Sequence, residues 1–441
     1  MCIPICFKAL ALAAALSSCA GAAVTADISE IAPAYAATSV NTAIFRANAL
    51  ATHGDTQYAC FYDPDGYVTL ASRPVDGGGK WHTERTPYRG NVADAHNVAC
   101  IGIDGDGYLH LAFDHHGHPL RYCRSTAPGS LEMGPLETMT GMAGEDNVTY
   151  PEFHTLPGGD MLFLFRSGAS GRGDMVMNRY DTAQGRWRRV HDVLIDGEGQ
   201  RNAYWQTCVD SRGTLHVSWV WRETWMVETN HDVCYARSRD GGATWERSDG
   251  SPYTLPVTMA SAETVARVPQ GRELINQCSM DADADGRPII AMYWRDEADS
   301  VPHYRVIEHD GTQWRSSVAV RRHTPFTLSG GGTKMIPIAR PRIVAGADGA
   351  AYMLLRDAER GSRASLAWRE SRRGKWRVAD LTDYSVDAWE PAVDMDLWRH
   401  SGRLDVYVQR SSQGDGERVT AAPPSPAGVL SVRKLKKTGR R

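Results

Sequence analysis

Short apolar runs alternate with turns rich in Asp and Gly along most of this chain. Helical periodicity is scarce between Thr42 and Gln409. The runs after Gly107 (Tyr-Leu-His-Leu-Ala-Phe) and Gly213 (Thr-Leu-His-Val-Ser-Trp) are rich in the β-branched and aromatic residues that strands favour. The pattern therefore predicts an all-β protein.

The turns recur at intervals that indicate an internal repeat. Seven turn glycines each precede an apolar run, at Gly66, Gly107, Gly159, Gly213, Gly286, Gly349 and Gly402. Several repeats contain a second turn with a tryptophan, at Trp81, Trp187, Trp245, Trp314 and Trp376. Such units are typical of β-propellers, which hide sheet edges by radial repetition. We predict a seven-bladed β-propeller with four-stranded blades whose strands start just after the marker glycines. One or two β-sandwiches are the alternative.

The propeller is predicted to occupy residues 38–435 as a single domain. Ring closure would pair a first strand near residues 40–46 with a last strand near residues 429–435. Residues 436–441 form a short basic segment, which we expect to be a disordered tail.

Residues 1–26 are predicted to be a signal peptide. Lys8 precedes an apolar run that is too short to span a membrane, and small residues follow it. Leu16-Ser-Ser-Cys19 also resembles a bacterial lipobox, which would make Cys19 a lipidated first residue; ordinary cleavage after it is the alternative. We therefore expect an exported protein that is periplasmic, an outer-membrane lipoprotein or secreted. A lipid on Cys19 would be its only membrane anchor.

Composition narrows the range of partners and cofactors. A formal net charge of -3 argues against nucleic acid as the main partner. Six cysteines lie beyond the leader without CxxC spacing, which predicts small buried residues and identifies neither a zinc cluster nor a disulfide pairing. They are Cys60, Cys100, Cys123, Cys208, Cys234 and Cys278.

One turn matches a known structural motif. Residues 238–245 read Ser-Arg-Asp-Gly-Gly-Ala-Thr-Trp, which fits the Asp-box pattern known from sialidase-like propellers. Asp240 is expected to accept backbone N–H groups within the turn, and Trp245 is expected to pack beneath it. This role is structural and indicates a propeller, not a sialidase.

Histidines are concentrated between Asp94 and Arg121. The segment holds five of the 15 histidines in the chain, namely His96, His110, His115, His116 and His118. A hairpin around Gly107 would bring the segments containing His96 and His116 to one end of the same sheet. Because imidazole titrates near neutral pH, the cluster is a candidate for proton transfer; hydrogen-bonded or surface histidines are the alternative.

Several segments together carry a resemblance to a known family. They are Gly90-Asn-Val-Ala-Asp-Ala-His-Asn97, Asp114-His-His116, Val148-Thr-Tyr-Pro-Glu-Phe153, Leu164-Phe-Arg166, Asn202-Ala-Tyr-Trp205, Ser218-Trp-Val-Trp-Arg222, Thr229-Asn-His-Asp232, Leu274-Ile-Asn-Gln277 and Ala339-Arg-Pro341. With them the chain resembles the BNR-repeat propellers that include ulvan lyases and the rhamnose-glucuronate lyases and rhamnosidases. His96 and His116 are 20 residues apart, and Tyr150 and Arg166 are 16 apart, as in the ulvan lyases.

The resemblance implies that His96, His116, Tyr150 and Arg166 line one mouth of the central channel as catalytic residues. Arg166 would bind a uronic acid carboxylate, Tyr150 and His96 would share proton abstraction and donation, and His116 would orient them. Which of Tyr150 and His96 is the base stays open. Further substrate-binding candidates are Arg222, Asn230, His231 and Arg340. No cofactor is predicted. The resemblance allows a structural calcium or zinc ion, but no spacing of ligand residues in this sequence identifies a metal site.

Three functions compete. The first is a polysaccharide lyase that cleaves an anionic glycan next to a uronic acid, such as rhamnose-α-1,4-glucuronate, by β-elimination. The second is a glycoside hydrolase, either a rhamnosidase or sialidase-like; rhamnose-cleaving relatives use a histidine on the opposite face, where this chain offers His53 and Gln57. The third is a glycan-binding propeller without activity.

Overall fold

The described chain forms seven antiparallel sheets arranged around a central channel. The computed structural model describes residues 24–76, 79–416 and 418–433. Five of the seven sheets have four strands, one has five and one has three. The predicted seven-bladed β-propeller is confirmed.

The strands follow one another blade by blade. Blades one to three contain β2 (Leu50–His53), β3 (Thr56–Tyr62), β4 (Tyr67–Pro74), β5 (His82–Arg89); β6 (Ala99–Ile103), β7 (Leu109–Phe113), β9 (Tyr122–Arg124); and β8 (His116–His118), β10 (Val148–Thr155), β11 (Met161–Ala169), β12 (Arg172–Asp181), β13 (Arg186–Ile195). Blades four to six contain β14 (Asn202–Val209), β15 (Leu215–Arg222), β16 (Asn230–Ser238), β17 (Glu263–Ala266); β18 (Ser279–Ala282), β19 (Pro288–Trp294), β20 (His303–His309), β21 (Trp314–Val320); and β22 (Arg342–Ala345), β23 (Ala351–Asp357), β24 (Arg363–Arg369), β25 (Arg377–Ser385). Blade seven contains β26 (Ala392–Val393), β27 (Asp405–Val408), β28 (Ser425–Arg433) and, from the other end of the chain, β1 (Thr25–Ala34).

Helices are few. The helix α1 (Met395–Ser401) joins β26 to β27, and three single 3-10 turns lie at Val227–Thr229, Ala347–Gly349 and Ala358–Arg360. Within the described ranges, no helix has the length and apolar character needed to cross a membrane.

Two blades depart from four strands, and both border the site described below. The short strand β8 pairs with the innermost strand of blade three, β10, instead of staying with blade two. This pairing sets His116 opposite Thr149, the residue before Tyr150. Blade two keeps three strands, followed by isolated bridges from Tyr122 to Glu137 and from Ser125 to Met133.

The marker glycines behave as turn chemistry predicts. In the turn at Gly107, Asp104 accepts the N–H groups of Asp106 and Tyr108 at 3.0 and 2.9 Å, and Gly107 has φ +85°. Six of the seven glycines precede the second strand of a blade. The exception is Gly66, which precedes β4, the third strand of blade one.

Ring closure differs from the prediction. The last strand, β28, lies where it was expected, but its partner is β1 (Thr25–Ala34), so blade seven starts upstream of the predicted boundary at residue 38. Residues 40–46 form buried turns, not a strand. Their apolar character reflects burial in the channel, where Asn41 satisfies the backbone of Tyr35 and Tyr62 through its side-chain amide.

The cysteines and the turn of residues 238–245 lie within the described residues, whereas most of the predicted leader does not. All six cysteines beyond the leader are buried, as predicted, and all six are unpaired thiols, which the sequence had left open. In the turn of residues 238–245, Asp240 accepts the N–H of Thr244 at 2.9 Å, and Trp245 is buried. Residues 1–23 of the predicted signal peptide, including Cys19, and the predicted basic tail lie outside the described residues.

Candidate active site

One end of the channel opens into a cavity of about 700 Å³, which we call the arginine cavity after Arg166, Arg222 and Arg356 in its wall. Its lining comes from strands and loops of most blades and includes every residue predicted to be catalytic: His96, His116, Tyr150 and Arg166. Two predicted substrate-binding residues, Arg222 and Arg340, also line it.

The backbone presents Tyr150 in an unusual conformation. The ladder between β10 and β11 shifts register between Thr149 and Glu152, and Tyr150 within this bulge has φ +58°. A bulky residue at positive φ is strained, and bulges re-aim side chains out of the regular alternation. The Tyr150 side chain is buried yet lines the cavity. Strain of this kind at a cavity wall points to a functional side chain.

The carboxylate of Asp94 holds the two histidines together. Its Oδ1 lies 2.9 Å from Nδ1 of His96, and its Oδ2 lies 2.5 Å from Nδ1 of His116. The imidazole rings are stacked, with centroids 4.0 Å apart. Burial raises the pKa of Asp94, but the hydrogen bonds from His116 and His96 outweigh it, so this pKa is well below its usual range. An ionised Asp94 can only accept, so each Nδ1 carries a proton.

His96 is consequently a neutral imidazole with a free acceptor nitrogen. Burial lowers the pKa of His96 to about 4, against the opposing influence of Asp94. With Nδ1 protonated, Nε2 is the unprotonated atom that can accept a proton. Phe45 stacks on the same ring at 5.2 Å and fixes its plane.

Two buried phenols meet in the cavity with opposite acid–base character. The rings of Tyr150 and Tyr204 are 5.9 Å apart. Burial raises the pKa of Tyr150 well above its ordinary value. Burial acts in the same direction on Tyr204, but the positive charges of Arg222 and Arg166 outweigh it and lower its pKa. Neighbouring groups with pKa values pushed apart are typical of acid–base sites.

Three arginines of the cavity form no ion pair within the described ranges. Arg166 donates to the Thr149 hydroxyl at 3.2 Å, and its buried Nε has no protein partner. Arg222 and Arg356 donate only to backbone carbonyls. Uncompensated guanidinium groups in a concave site form a binding surface for an anion.

The other predicted binding residues have different surroundings. Arg340 lines the cavity, but its charge is taken up by Glu390 in a bidentate pair at 2.8 and 2.6 Å. Asn230 is buried and donates to Leu274 and Asn276. His231 pairs with Glu223 at 2.8 Å beside a surface hollow away from the cavity. Neither Asn230 nor His231 lines the arginine cavity.

The sequence did not single out Tyr204, Arg356 and Trp225, which line the cavity, or Asp94, which binds two of its histidines. Asp94 and Tyr204 stand inside segments that carry the family resemblance, so a search for hydrogen-bonding partners of His96 and Tyr150 could have flagged them. Arg356 follows an ordinary apolar strand run, and Trp225 lies in a loop; neither has a local signal.

Within the part of the chain that the structure describes, one group of side chains could supply ligands for a metal ion. Asp94, His96 and His116 each offer one ligand atom, and these atoms lie within 4.8 Å of one another. Two imidazoles and a carboxylate are ligands that zinc and similar metals accept. In this arrangement the Nδ1 atoms of both histidines are hydrogen-bonded to Asp94.

The other end of the channel holds a second cavity of about 430 Å³, which we call the opposite cavity. Glu152, His154, Asp396 and Arg399 are among its lining residues. A much smaller space of about 30 Å³ lies between the two cavities, because it shares Tyr150 with the arginine cavity and Glu152 with the opposite cavity. We call this space the waist.

Comparison with known proteins agrees with the predicted resemblance. The short isoform of ulvan lyase from Alteromonas sp. (strain LOR) is 28% identical over 134 residues, covering 27% of this chain and 25% of that protein. This chain thus matches only about a quarter of the curated relative. Among solved structures, polysaccharide lyase Uly1 has 16% identity and a TM-score of 0.63 over 87% of this chain and 89% of its own.

A PL25 ulvan lyase, also solved bound to -[GlcA(1-4)Rha3S]-, has 16% identity and a TM-score of 0.65 over 93% of this chain and 97% of its own. These likenesses show that the chain has the fold of polysaccharide lyases. Residues 56–321 match the model of the BNR repeat-containing family, which is more than half of the chain. The chain therefore belongs to the BNR repeat-containing family.

Proposed function

We propose that the protein is a polysaccharide lyase that cleaves an anionic glycan next to a uronic acid by β-elimination. The observation that carries the proposal is a set of three arginines, without an ion-pair partner among the described residues, beside a neutral histidine and a protonated tyrosine in one cavity. The ulvan lyase relatives support the same class of substrate.

Binding of the substrate carboxylate is assigned to Arg166. Removal of the C5 proton from a uronic acid places negative charge on its carboxylate, and a fixed guanidinium stabilises that charge most in the transition state. Arg166 is buried, stands over the Tyr150 ring at 4.9 Å and has no competing carboxylate among the described residues.

His96 is the better candidate for the base, and Tyr150 for the acid. Nε2 of His96 takes the C5 proton, the C4–O4 bond breaks as the C4–C5 double bond forms, and the Tyr150 hydroxyl gives its proton to O4. The raised pKa of Tyr150 keeps it protonated until O4 needs the proton. Asp94 holds the His96 tautomer and stabilises the imidazolium that forms, and His116 positions Asp94 from its other side.

The test is the appearance of a conjugated product. Incubation with ulvan and with gum arabic should produce absorbance near 235 nm, because only elimination creates a 4,5-unsaturated uronate. Release of free rhamnose without this absorbance would favour the hydrolase, and retention of glycan without any product would favour a binding protein.

A further inference from the structure

The rim of the arginine cavity has an apolar patch that the proposed chemistry does not use. Eight large hydrophobic side chains are notably exposed in the described ranges. The two most exposed, Met335 at 69% and Trp225 at 60%, both line this cavity, and the other six do not. Exposed apolar groups at the edge of a concave site usually mark contact with a ligand.

The loop that carries Trp225 is firmly held. The guanidinium of Arg222 donates to the Trp225 carbonyl, and the N–H of Met226 donates to the Thr224 hydroxyl at 3.1 Å. Thr224 itself donates its N–H to the Thr229 hydroxyl at 3.1 Å. The backbone of Trp225 is therefore fixed without any contribution from its indole ring.

A glycine-rich strap, residues 330–332, supports the indole ring itself. A Cβ added at Gly331 would lie 2.5 Å from Cε3 of Trp225, so this glycine lies directly against the indole. The strap is tied to the same loop, because Val227 donates to the Gly330 carbonyl at 2.9 Å and Gly330 donates to Glu228 at 2.8 Å. A ring held in this way loses little conformational freedom when a ligand covers it.

We propose that Trp225 is the platform of an outer subsite that stacks on a non-ionic pyranose ring of the same polysaccharide chain, next to the uronic acid in the cavity. The C–H face of a pyranose is apolar and matches the exposed indole. The negatively charged uronic acid, in contrast, is expected to bind near Arg166, Arg222 and Arg356. The platform deepens the proposed function and rests on it for the identity of the glycan. Its contribution is to affinity for the polymer and not to the chemical step.

Binding is tested separately from turnover. In a Tyr150→Phe background, migration through gels containing ulvan or gum arabic measures affinity for the polymer. Trp225→Ala should weaken retardation on the order of tenfold, about 1.4 kcal/mol, and Trp225→Phe should retain most of it. The matched control is Tyr384→Ala, which removes a similarly exposed aromatic ring, 46% exposed, that does not line the cavity.

In the otherwise native protein, Trp225→Ala should raise KM for the polymer on the order of tenfold and leave kcat and the KM for the shortest cleavable oligosaccharide nearly unchanged. Normal retardation of Trp225→Ala, equal loss in Tyr384→Ala, or a Tyr150→Phe parent that neither polymer retards would overturn the subsite. Trp225-dependent retardation without unsaturated product would instead refute the lyase and keep the platform.

Discussion

The two ends of the channel are built from the same ring of blades, yet they treat charge differently. In the arginine cavity, the guanidinium groups of Arg166, Arg222 and Arg356 have no carboxylate partner among the described residues. In the opposite cavity, His154 is paired with Glu152 at 2.9 Å, and Arg399 is paired with Asp281 at the same distance; Arg342 is the exception and forms no ion pair among the described residues.

This difference separates binding from stability. Charges that are paired and buried hold blades together, and removing one partner leaves the other uncompensated. Charges without partners at a concave wall contribute little to the fold and attract an anionic ligand. We therefore expect substitutions in the arginine cavity to reduce activity, and those in the opposite cavity to reduce stability.

Loss of the acid or base should have the largest effect on activity. Tyr150→Phe removes the phenol and keeps the ring, and His96→Ala removes the base. Each should lower kcat by about 10² to 10⁴-fold, the usual contribution of general acid–base catalysis. Initial rates near 235 nm measure this effect, and thermal unfolding checks the fold. Two folded variants that keep most of their activity would end the assignment.

Two arginines test the comparison directly. Arg166→Ala should lose about 3 kcal/mol of transition-state stabilisation, about a hundredfold in kcat/KM, with little change in unfolding. Arg399→Ala in the opposite cavity should leave kcat/KM near normal and lower the free energy of unfolding by about 1–3 kcal/mol, because Asp281 is left buried and unpaired. The reverse pattern would contradict the division between the two cavities.

Titratable groups at the two ends of the channel should also make the stability of the fold change with pH in opposite directions. Burial, with the nearby charge of Asp396, raises the pKa of Asp394 beside the opposite cavity from 3.8 to about 7. Between pH 3.8 and about 7, Asp394 is therefore protonated in the folded state but ionised in the unfolded state. The stability of the fold consequently falls as pH rises toward 7. For His96 the pKa falls from 6.5 to about 4, so its contribution is lost as pH falls below 6.5.

Asp394→Asn isolates the effect at the opposite cavity, and urea unfolding measures it. The native protein should lose up to about 1.4 kcal/mol of stability per pH unit from this group between about pH 5 and 7. The variant should show a flatter dependence over that interval. An unchanged slope would show that Asp394 does not hold its proton.

Ionisation of Tyr204 should determine how kcat/KM falls at alkaline pH. When this phenol ionises, its negative charge sits beside Arg166 and Arg222 and competes with the substrate carboxylate. Since its pKa is lowered, KM should rise with pH before an ordinary tyrosine would titrate. Tyr204→Phe should extend activity to higher pH by a few-fold in kcat/KM. Coincident pH profiles for the two proteins would refute this role.

The smallest effect is expected at His231. Its ring pairs with Glu223 and Asp232 outside the arginine cavity. His231→Ala should keep kcat/KM within about twofold of the native value, because a group that touches no reacting atom contributes no transition-state stabilisation. A large loss in rate on ulvan would place a part of the substrate beyond the cavity.

The repeated turns made the fold predictable, because Asp-Gly turns are set by local hydrogen bonds. The first strand lacked such a signal: β1 has no marker glycine, and its first two residues lie within the predicted leader, residues 1–26. In the site, order and spacing identified four residues of one wall. The pairing of Arg340 with Glu390 spans 50 residues and could not be read from the chain. Strand alternation, by contrast, could have shown that the neighbouring residues Asn230 and His231 point to opposite faces of the sheet.

The waist between the cavities has a consequence for how a polymer can be handled. A space of about 30 Å³ holds about one water molecule and is far too narrow for a sugar ring. A polysaccharide chain therefore cannot pass through the central channel from one cavity to the other. For the proposed lyase, both new chain ends would therefore leave through the opening by which the polysaccharide entered, and one of them would have to dissociate before the next stretch could bind.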